Sequence, residues 1–464
     1  MCQQYTFLCK GGEDLRLDQR VQLVFGTMNR ALLAHAPAAS RGLGMSTYQV
    51  MPLSEHVGLI EWVDGTDTLK RLITGQANSD YERRVGKPYP KAGSEVESAA
   101  AKKYMQIYDP DGSADRYMGK NRTLSRKALT EQFESVSAGV PTDLLARAVS
   151  ALSVSSEVYL SMRSQFARSL ASLTACAHVL GIGDRHLDNF LLSKSTGRVV
   201  GIDFGHAFGS ATYLLGVPEL MGVRLTRQLT SFLRPLDTNV LLKGHMAVTL
   251  EALRARRSDL MRLMEVFLSE PIVDWDAQTR KLSAEQRAKL EADADAADGA
   301  PGQTQESSAG GVDGDARASL AGGASLAASR APSQANGGGR GTASATPRMH
   351  QPTSSVRSAA GGGGGAQLTR GWAALRLSVV DAKLRGGNAA RLTLRDLESS
   401  PHSEMKKLEN MKALTDIVLG AEGSLRRTLP STGLTAAQQV DVLVEQATDP
   451  NVLGRTYHGW APWL

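Results

Sequence analysis

GIGDRHLDNFLLSKSTGRVVGIDFG, Gly181–Gly205, decides how the rest of this sequence is read. Asp184, His186 and Asn189 sit in a tight loop after a helix, and Asp203 opens an Asp-Phe-Gly turn. Between them Phe190-Leu191-Leu192, a Ser/Lys/Thr/Gly turn and Val199-Val200-Gly201-Ile202 predict a hairpin. That hairpin folds the chain back and sets Asn189 beside Asp203. Phosphoryl transfer leaves a protein mostly positioning and charge stabilisation to do. It needs a carboxylate to accept the substrate hydroxyl proton and hard oxygen ligands for Mg²⁺. Asp184 is read as the base, Asn189 and Asp203 as metal ligands, and His186 as a charge or donor for the γ-phosphate as it leaves. Singly, such residues are turn, cap or core residues. It is both motifs in order, at hairpin spacing, that carry the chemistry.

The 464 residues have room for two or three domains, and 42% hydrophobic content suffices for a real core. The sequence predicts no membrane span. Met1–Lys10 lack the charged start and apolar centre of a signal peptide. Cys2, Cys9 and Cys176 have neither metal nor disulfide spacing, which fits a reducing compartment. A net charge of +6 permits nucleic-acid contact without arguing for it.

Asp184-Arg185-His186-x-x-Asn189 followed by Ile202-Asp203-Phe204-Gly205-His206 resembles the phosphatidylinositol-3-kinase-related protein kinase family. Familiar protein kinases spell the loop His-Arg-Asp, with an Asn five residues after the Asp; here the order is reversed and the Asn spacing kept. GIDFGHAFGSATYLLGVPELMGVRLTRQ (201–228) and the aromatic end QATDPNVLGRTYHGWAPWL (446–464), similar to the FATC tail of these kinases, extend the resemblance over most of the chain. It implies an α+β, bilobal protein-kinase-like fold of the PI3/PI4-kinase type, with a mostly helical C-terminal lobe and a helical FATC tail. It also implies ATP with Mg²⁺, Mn²⁺ being the alternative. The family pattern Lys-Gly-x-Glu-Asp-Leu-Arg-Gln-Asp matches Lys10–Asp18, with Leu17 for the Gln. By that match Lys10 contacts the ATP phosphates while Asp18 and Glu13 orient it. Tyr48, Glu61, Trp62 and Val63 are implied at the adenine, with Leu191 and Ile202 also lining the nucleotide. For Tyr48 the other reading is ordinary sheet core. Asp188 stands where the family has Asn, as an extra metal-side carboxylate or a solvent-facing group.

The implied organisation is a partial N-lobe at 1–65, lacking the phosphate-covering loop and so incomplete, and a C-lobe at 66–291 with catalytic loop 181–189 and activation loop 201–226. Residues 292–370 are rich in Ala, Gly and Ser, include five consecutive glycines at 361–365, and read as a disordered insertion. C-terminal kinase helices follow at 371–431 and the FATC domain at 432–464. Ser156–Leu180 is periodic through Val158, Met162, Phe166, Leu170, Leu173, Ala177 and Leu180, and Gly181 ends it.

Phe204–Val223 contains no Lys or Arg. Lipid kinases of the superfamily carry a basic cluster here for the anionic head group, so a protein substrate is favoured. The resemblance implies a Ser/Thr protein kinase preferring Ser/Thr-Gln, acting in the nucleus in DNA double-strand-break repair by non-homologous end joining. The Ku heterodimer and DNA ends are implied as partners through regions outside this chain. The alternatives are a lipid kinase of the same superfamily, or a truncated, inactive fragment that only binds partners.

Overall fold

The computed structural model describes residues 5–108, 119–120, 122–235, 239–269, 363–400 and 407–464. Two small antiparallel sheets frame the site. The first has strand order β1-β3-β2, from Phe7–Gly11, Val57–Glu61 and Val50–Pro52. Its register sets Lys10 opposite Gly58 and Phe7 opposite Glu61. The second has order β4-β5-β6, from Thr66–Thr68, Phe190–Ser193 and Val199–Gly201. The predicted hairpin is β5-β6, with Phe190 opposite Gly201. Residues 62–65 join the two sheets, since β4 pairs with β5, Thr68 lying opposite Leu191. β-branched and aromatic residues predict strands at 47–51 and 57–63; pairing is confined to Val50–Pro52 and Val57–Glu61.

Helices supply the rest. Arg16–Ala34 buries Val21, Val24, Phe25, Met28 and Leu32, whose helical spacing in the sequence predicts that apolar face. Ser156–Leu180 begins at Ser155, whose side chain accepts from Val158 N. The periodic face is buried from Met162 onward, with Val158 half-buried, but every residue from Ser169 to Leu180 is buried, not one stripe. Helix Gly244–Ala255 and β6 cover its other sides. Its serines act as connectors there: Ser169 Oγ accepts from Val199 N at 2.9 Å and Ser172 Oγ from Gly44 N at 3.1 Å. Lys383 Nζ donates to His178 O at 2.7 Å, placing a cation at the negative end of that helix.

Of the 292–370 block, residues 292–362 lie outside the described ones, as does the Pro271–Trp275 run. Helix Gly363–Leu384 begins inside the glycine run, eight residues ahead of the predicted start at 371. Helical hydrogen bonding propagates from its packed part, where Val379, Val380 and Leu384 are buried. Ala389–Glu398 and Leu408–Leu419 follow. Helix Ala436–Thr448 carries a Thr435/Gln438 capping box. At the end, Trp460, Trp463 and Leu464 are all buried, Trp463 packing 4.8 Å from the Tyr104 ring centre. No described helix is long and apolar enough to cross a membrane.

Helix Ser156–Leu180 ends where it does because Gly181 takes a left-handed φ of 64°, and a Cβ there would lie 2.6 Å from Gly209 N. Gly65 has a similar φ of 67° but open space around it. Gly65→Ala is expected to cost about 1–2 kcal/mol, the backbone strain alone. Gly181→Ala is expected to cost more than Gly65→Ala by at least about 1–3 kcal/mol, the added cost of overpacking. Urea denaturation of both checks this; equal losses would contradict the close approach.

Candidate active site

The catalytic loop and the Asp-Phe-Gly turn are stitched by backbone first. Gly183 N donates to His206 O at 2.8 Å, and Phe208 N and Gly209 N donate to Leu180 O and Gly181 O at 2.8 Å each. Ile202 N donates to Asn189 O at 3.1 Å, so the hairpin does bring Asn189 against the chain just before Asp203. Asp184 and Asp203 both have left-handed backbones, φ 54° and 57°. Non-glycine residues adopt that region only when the surroundings hold them there.

Arg185 is what holds them. Its buried guanidinium donates through Nη1 to Ile202 O at 2.8 Å and through Nη2 to Asp203 O, while Nε donates to Gly183 O at 2.9 Å. It lies 5.2 Å from the Phe204 ring centre, within cation–π range. Asn189 Nδ2 donates to Asp184 O at 2.8 Å, which leaves its amide oxygen as the group available to a ligand. On the other side, Glu219 Oε1 accepts from Asp184 N at 2.7 Å. Burial first, then the Asp184 charge, pushes the Glu219 pKa up to about 8.

The N-terminal sheet delivers the cation. Lys10 Nζ is 2.5 Å from Glu13 Oε2. Burial opposes its charge, but Asp203, Glu13 and Asp18 together raise its pKa above the ordinary value. Asp18 does not pair directly with Lys10; its Oδ1 accepts from Phe204 N at 2.9 Å, so it anchors the turn carrying Asp203. Burial and the Asp203 charge push the Asp18 pKa up to about 6. Tyr48 is buried in the core beside this group, with burial and then Asp18 raising its hydroxyl pKa. Its surroundings therefore match the sheet-core reading and the carboxylate end of the cleft.

The remaining candidates lie around the link between the sheets. Glu61 is half-buried and its Oε2 accepts from Gln49 N at 2.7 Å, which commits that carboxylate to the sheet. Trp62 N donates to Thr6 O at 2.8 Å, and its ring is 37% exposed. Val63 O accepts from Thr66 Oγ1 at 2.7 Å. Leu191 is buried on β5, and Ile202 is half-buried just past β6. His186 Nε2 is 4.0 Å from Asp184 Oδ2. Burial lowers its pKa against the pull of Asp184 and Asp188, so at neutral pH it is a neutral donor rather than a charge. Asp188 accepts from Thr68 Oγ1 at 3.2 Å, with Lys70 Nζ 3.5 Å away and its own side chain 43% exposed, which fits the solvent-facing reading.

Three residues that matter most to this geometry, Arg185, Glu219 and Arg224, were not picked out as site residues. Arg224 is buried; Nη1 donates to Trp460 O at 2.7 Å and to Arg185 O at 3.4 Å, and Nη2 to Ala461 O at 3.1 Å. Burial pushes its pKa down to about 9, which leaves it charged at neutral pH. The only signal for Arg185 was its place between Asp184 and His186. Arg224 and Glu219 sit in the otherwise uncharged run and its border, where a lone charge needs a partner.

The sequence profile of the phosphatidylinositol 3- and 4-kinase family matches residues 4–277, and that of the FATC domain matches 433–464. The chain is 34% identical over 467 residues to the DNA-dependent protein kinase catalytic subunit of Dictyostelium discoideum, covering 98% of this chain and 9% of that protein. It is also 34% identical over 472 residues to the chicken (Gallus gallus) protein of the same name, and 32% identical over 273 residues to the serine/threonine-protein kinase TOR of Arabidopsis thaliana, covering 59% of this chain. It thus spans about a tenth of the length of these relatives. Among solved structures, the FAT and kinase domain of CtTel1 shares the fold over 100% of this chain and 22% of its own, with a TM-score of 0.54 at 20% identity. With a family profile over more than half its residues, a bilobal α+β fold and the tail in place, this chain belongs to the phosphatidylinositol 3- and 4-kinase family and ends in a FATC domain.

Proposed function

We propose that this chain transfers the γ-phosphoryl group of ATP to a Ser or Thr hydroxyl of a protein. The observation that carries the reading is the single Arg185-centred network, which sets Asp184, Asn189 and Asp203 together opposite Lys10. In it Asp184 accepts the hydroxyl proton and the neutral His186 donates to the γ-phosphate. Lys10, braced by Glu13, neutralises phosphate charge. Asp18 and Arg185 hold the Asp203 turn from opposite sides. The Asn189 amide oxygen and the Asp203 carboxylate are hard donors suited to Mg²⁺, and Mn²⁺ would suit the same oxygens. When bound, the metal supplies charge for the β- and γ-phosphate oxygens. Glu219 acts as a positioning residue, fixing the Asp184 backbone.

The absence of Lys and Arg from Phe204–Val223 supports a protein substrate over an anionic lipid. The relatives' name, DNA-dependent protein kinase, supports a place in nuclear DNA double-strand-break repair by end joining. A Ser/Thr-Gln preference, Ku and DNA ends belong to that proposal, the partners meeting a longer protein. The organisation into an N-lobe to residue 65, a C-lobe from 66, C-terminal helices from 371 and a tail from 432 is proposed with it.

Asp184→Asn is expected to lower kcat on a Ser-Gln peptide by roughly 10²–10⁴ while leaving ATP affinity near the parent's. A phosphoinositide-vesicle assay run beside it should give no product. Lipid phosphorylation without peptide phosphorylation would overturn the substrate class, and an unchanged kcat would remove Asp184 as base. Arg185→Lys keeps the charge but loses the fork, and kcat should fall at least about tenfold; full activity would contradict the network's role. For Glu219, a folded pKa of about 8 against an ordinary 4.5 means the native chain binds more protons than the unfolded one between those values. Stability therefore falls as pH rises from 4.5 through about 8. Glu219→Gln does not titrate, so its Tm should gain on the parent's across that window; a constant difference would contradict the assignment.

A further inference from the structure

We propose that Arg41, Arg168 and Arg198 form a binding site for a phosphate monoester, seated between the N-terminal helices and the helix that carries the catalytic loop. All three surround one short loop, Arg41–Gly44. Arg41 begins it and donates through Nη1 to Gly244 O at 3.1 Å. Arg168 Nη1 comes within 4.0 Å of where a Cβ on Gly42 would lie. Arg198 Nη2 donates to Gly44 O at 3.0 Å and its Nη1 to Gln165 Oε1 at 3.2 Å. His245 closes the ring, with its Nδ1 buried and unpartnered. Beneath lies a separate apolar cluster of Leu32, Ala38, Leu43, Val248 and Ala252, which gives the cations a fixed floor.

Several arginines elsewhere pair with carboxylates, unlike these three and unlike Arg185 and Arg224, which bond carbonyls. Arg147 pairs with Asp80, Arg257 with Asp381, Arg376 with Asp396, and Arg426 with Glu445 and Asp449. Among the described residues no carboxylate pairs with Arg41, Arg168 or Arg198, and the Arg168 guanidinium makes no hydrogen bond or ion pair. The charges felt by His245 are Arg41 and Arg168, and the charge felt by Arg198 is Arg168, all of them repulsive. Like charges gathered on a half-buried floor are stabilised by an anion. Planar forks gathered from three segments around one loop suit the terminal oxygens of a phosphate dianion better than a single-charged carboxylate. They form a compact cluster rather than a stripe, without aromatic rings between them, which favours one phosphate group over a nucleic-acid backbone. A phosphorylated Ser or Thr and free phosphate share that chemistry. Because Arg41 comes from the N-terminal helices and Arg168, Arg198 and His245 from the catalytic part, an occupant would clamp the two. The inference stands apart from the nucleotide reading, since the cluster contains none of the cleft residues.

The test is fluorescence anisotropy of a labelled phosphoserine peptide on the 464-residue chain, with its unphosphorylated twin and inorganic phosphate as competitor. Binding should be at least about tenfold tighter for the phosphopeptide, displaced by phosphate, and weakened about tenfold by Arg41→Ala and by Arg168→Gln. Arg41 is exposed and Arg168→Gln keeps most of the side-chain volume, so both variants should match the parent's circular dichroism. Lys10→Ala, which removes the cleft cation, should leave binding unchanged. If the peptide fails but inorganic phosphate raises Tm and loses that effect in Arg168→Gln, the site stands with free phosphate as its ligand. Equal binding of the two peptides without any phosphate effect overturns the proposal, as does binding lost in Lys10→Ala and kept in the arginine variants.

Discussion

The site depends on one buried guanidinium. Arg185 sits in the catalytic loop yet spends its donors on the carbonyls of Gly183, Ile202 and Asp203. A carboxylate partner would have neutralised it; carbonyls instead make it a strut between two loops, each needing a left-handed aspartate. Hydrogen bonds from a charged donor are worth about 1.5–3 kcal/mol each, enough to offset the backbone strain at Asp184 and Asp203. Burial disfavours the arginine's charge, while Asp184, Asp203 and Glu219 favour it. Asp184 and Asp203, the proposed base and metal ligand, thus also keep the strut charged.

A second arginine extends the brace to the chain's last residues. Arg224 touches the Arg185 carbonyl and the carbonyls of Trp460 and Ala461, with its guanidinium 4.2 Å from the Trp460 ring centre. Gln446 Nε2 donates to Leu220 O at 2.5 Å, so the last long helix also supports the segment after Asp203. Tyr104 OH donates to Thr456 O at 2.5 Å from the opposite side. The aromatic end is therefore part of the wall behind the catalytic loop, and its burial explains why a tail carrying Trp460 and Trp463 is tolerable in water.

Much of this was legible in the sequence because it is local. The hairpin between Asn189 and Asp203 and the Gly181 stop each follow from residues within one or two turns of each other. The face of Arg16–Ala34 was legible from its period. What was not legible depends on distant partners. The second half of Ser156–Leu180 is buried all round, so its period could not report its neighbours. Arg185 carries no signal that it reaches Ile202 rather than solvent. Asp18 was assigned to Lys10 by analogy, whereas its firm bond is to Phe204, 186 positions away. Glu61, implied at the adenine, accepts from Gln49 N within the sheet, and Tyr48 lies buried beside Asp18, as its sheet-core reading has it. Asp188 likewise meets Thr68, 120 positions away, and Lys70.

Mg²⁺-dependent ATP binding by calorimetry, on this chain and on Asp203→Ala, tests the central claim most directly. The account requires saturable binding by the parent that needs the metal and is lost in the variant. No binding by either, or equal binding by both, would mean that Lys10, Asn189 and Asp203 do not form a working cleft in this chain.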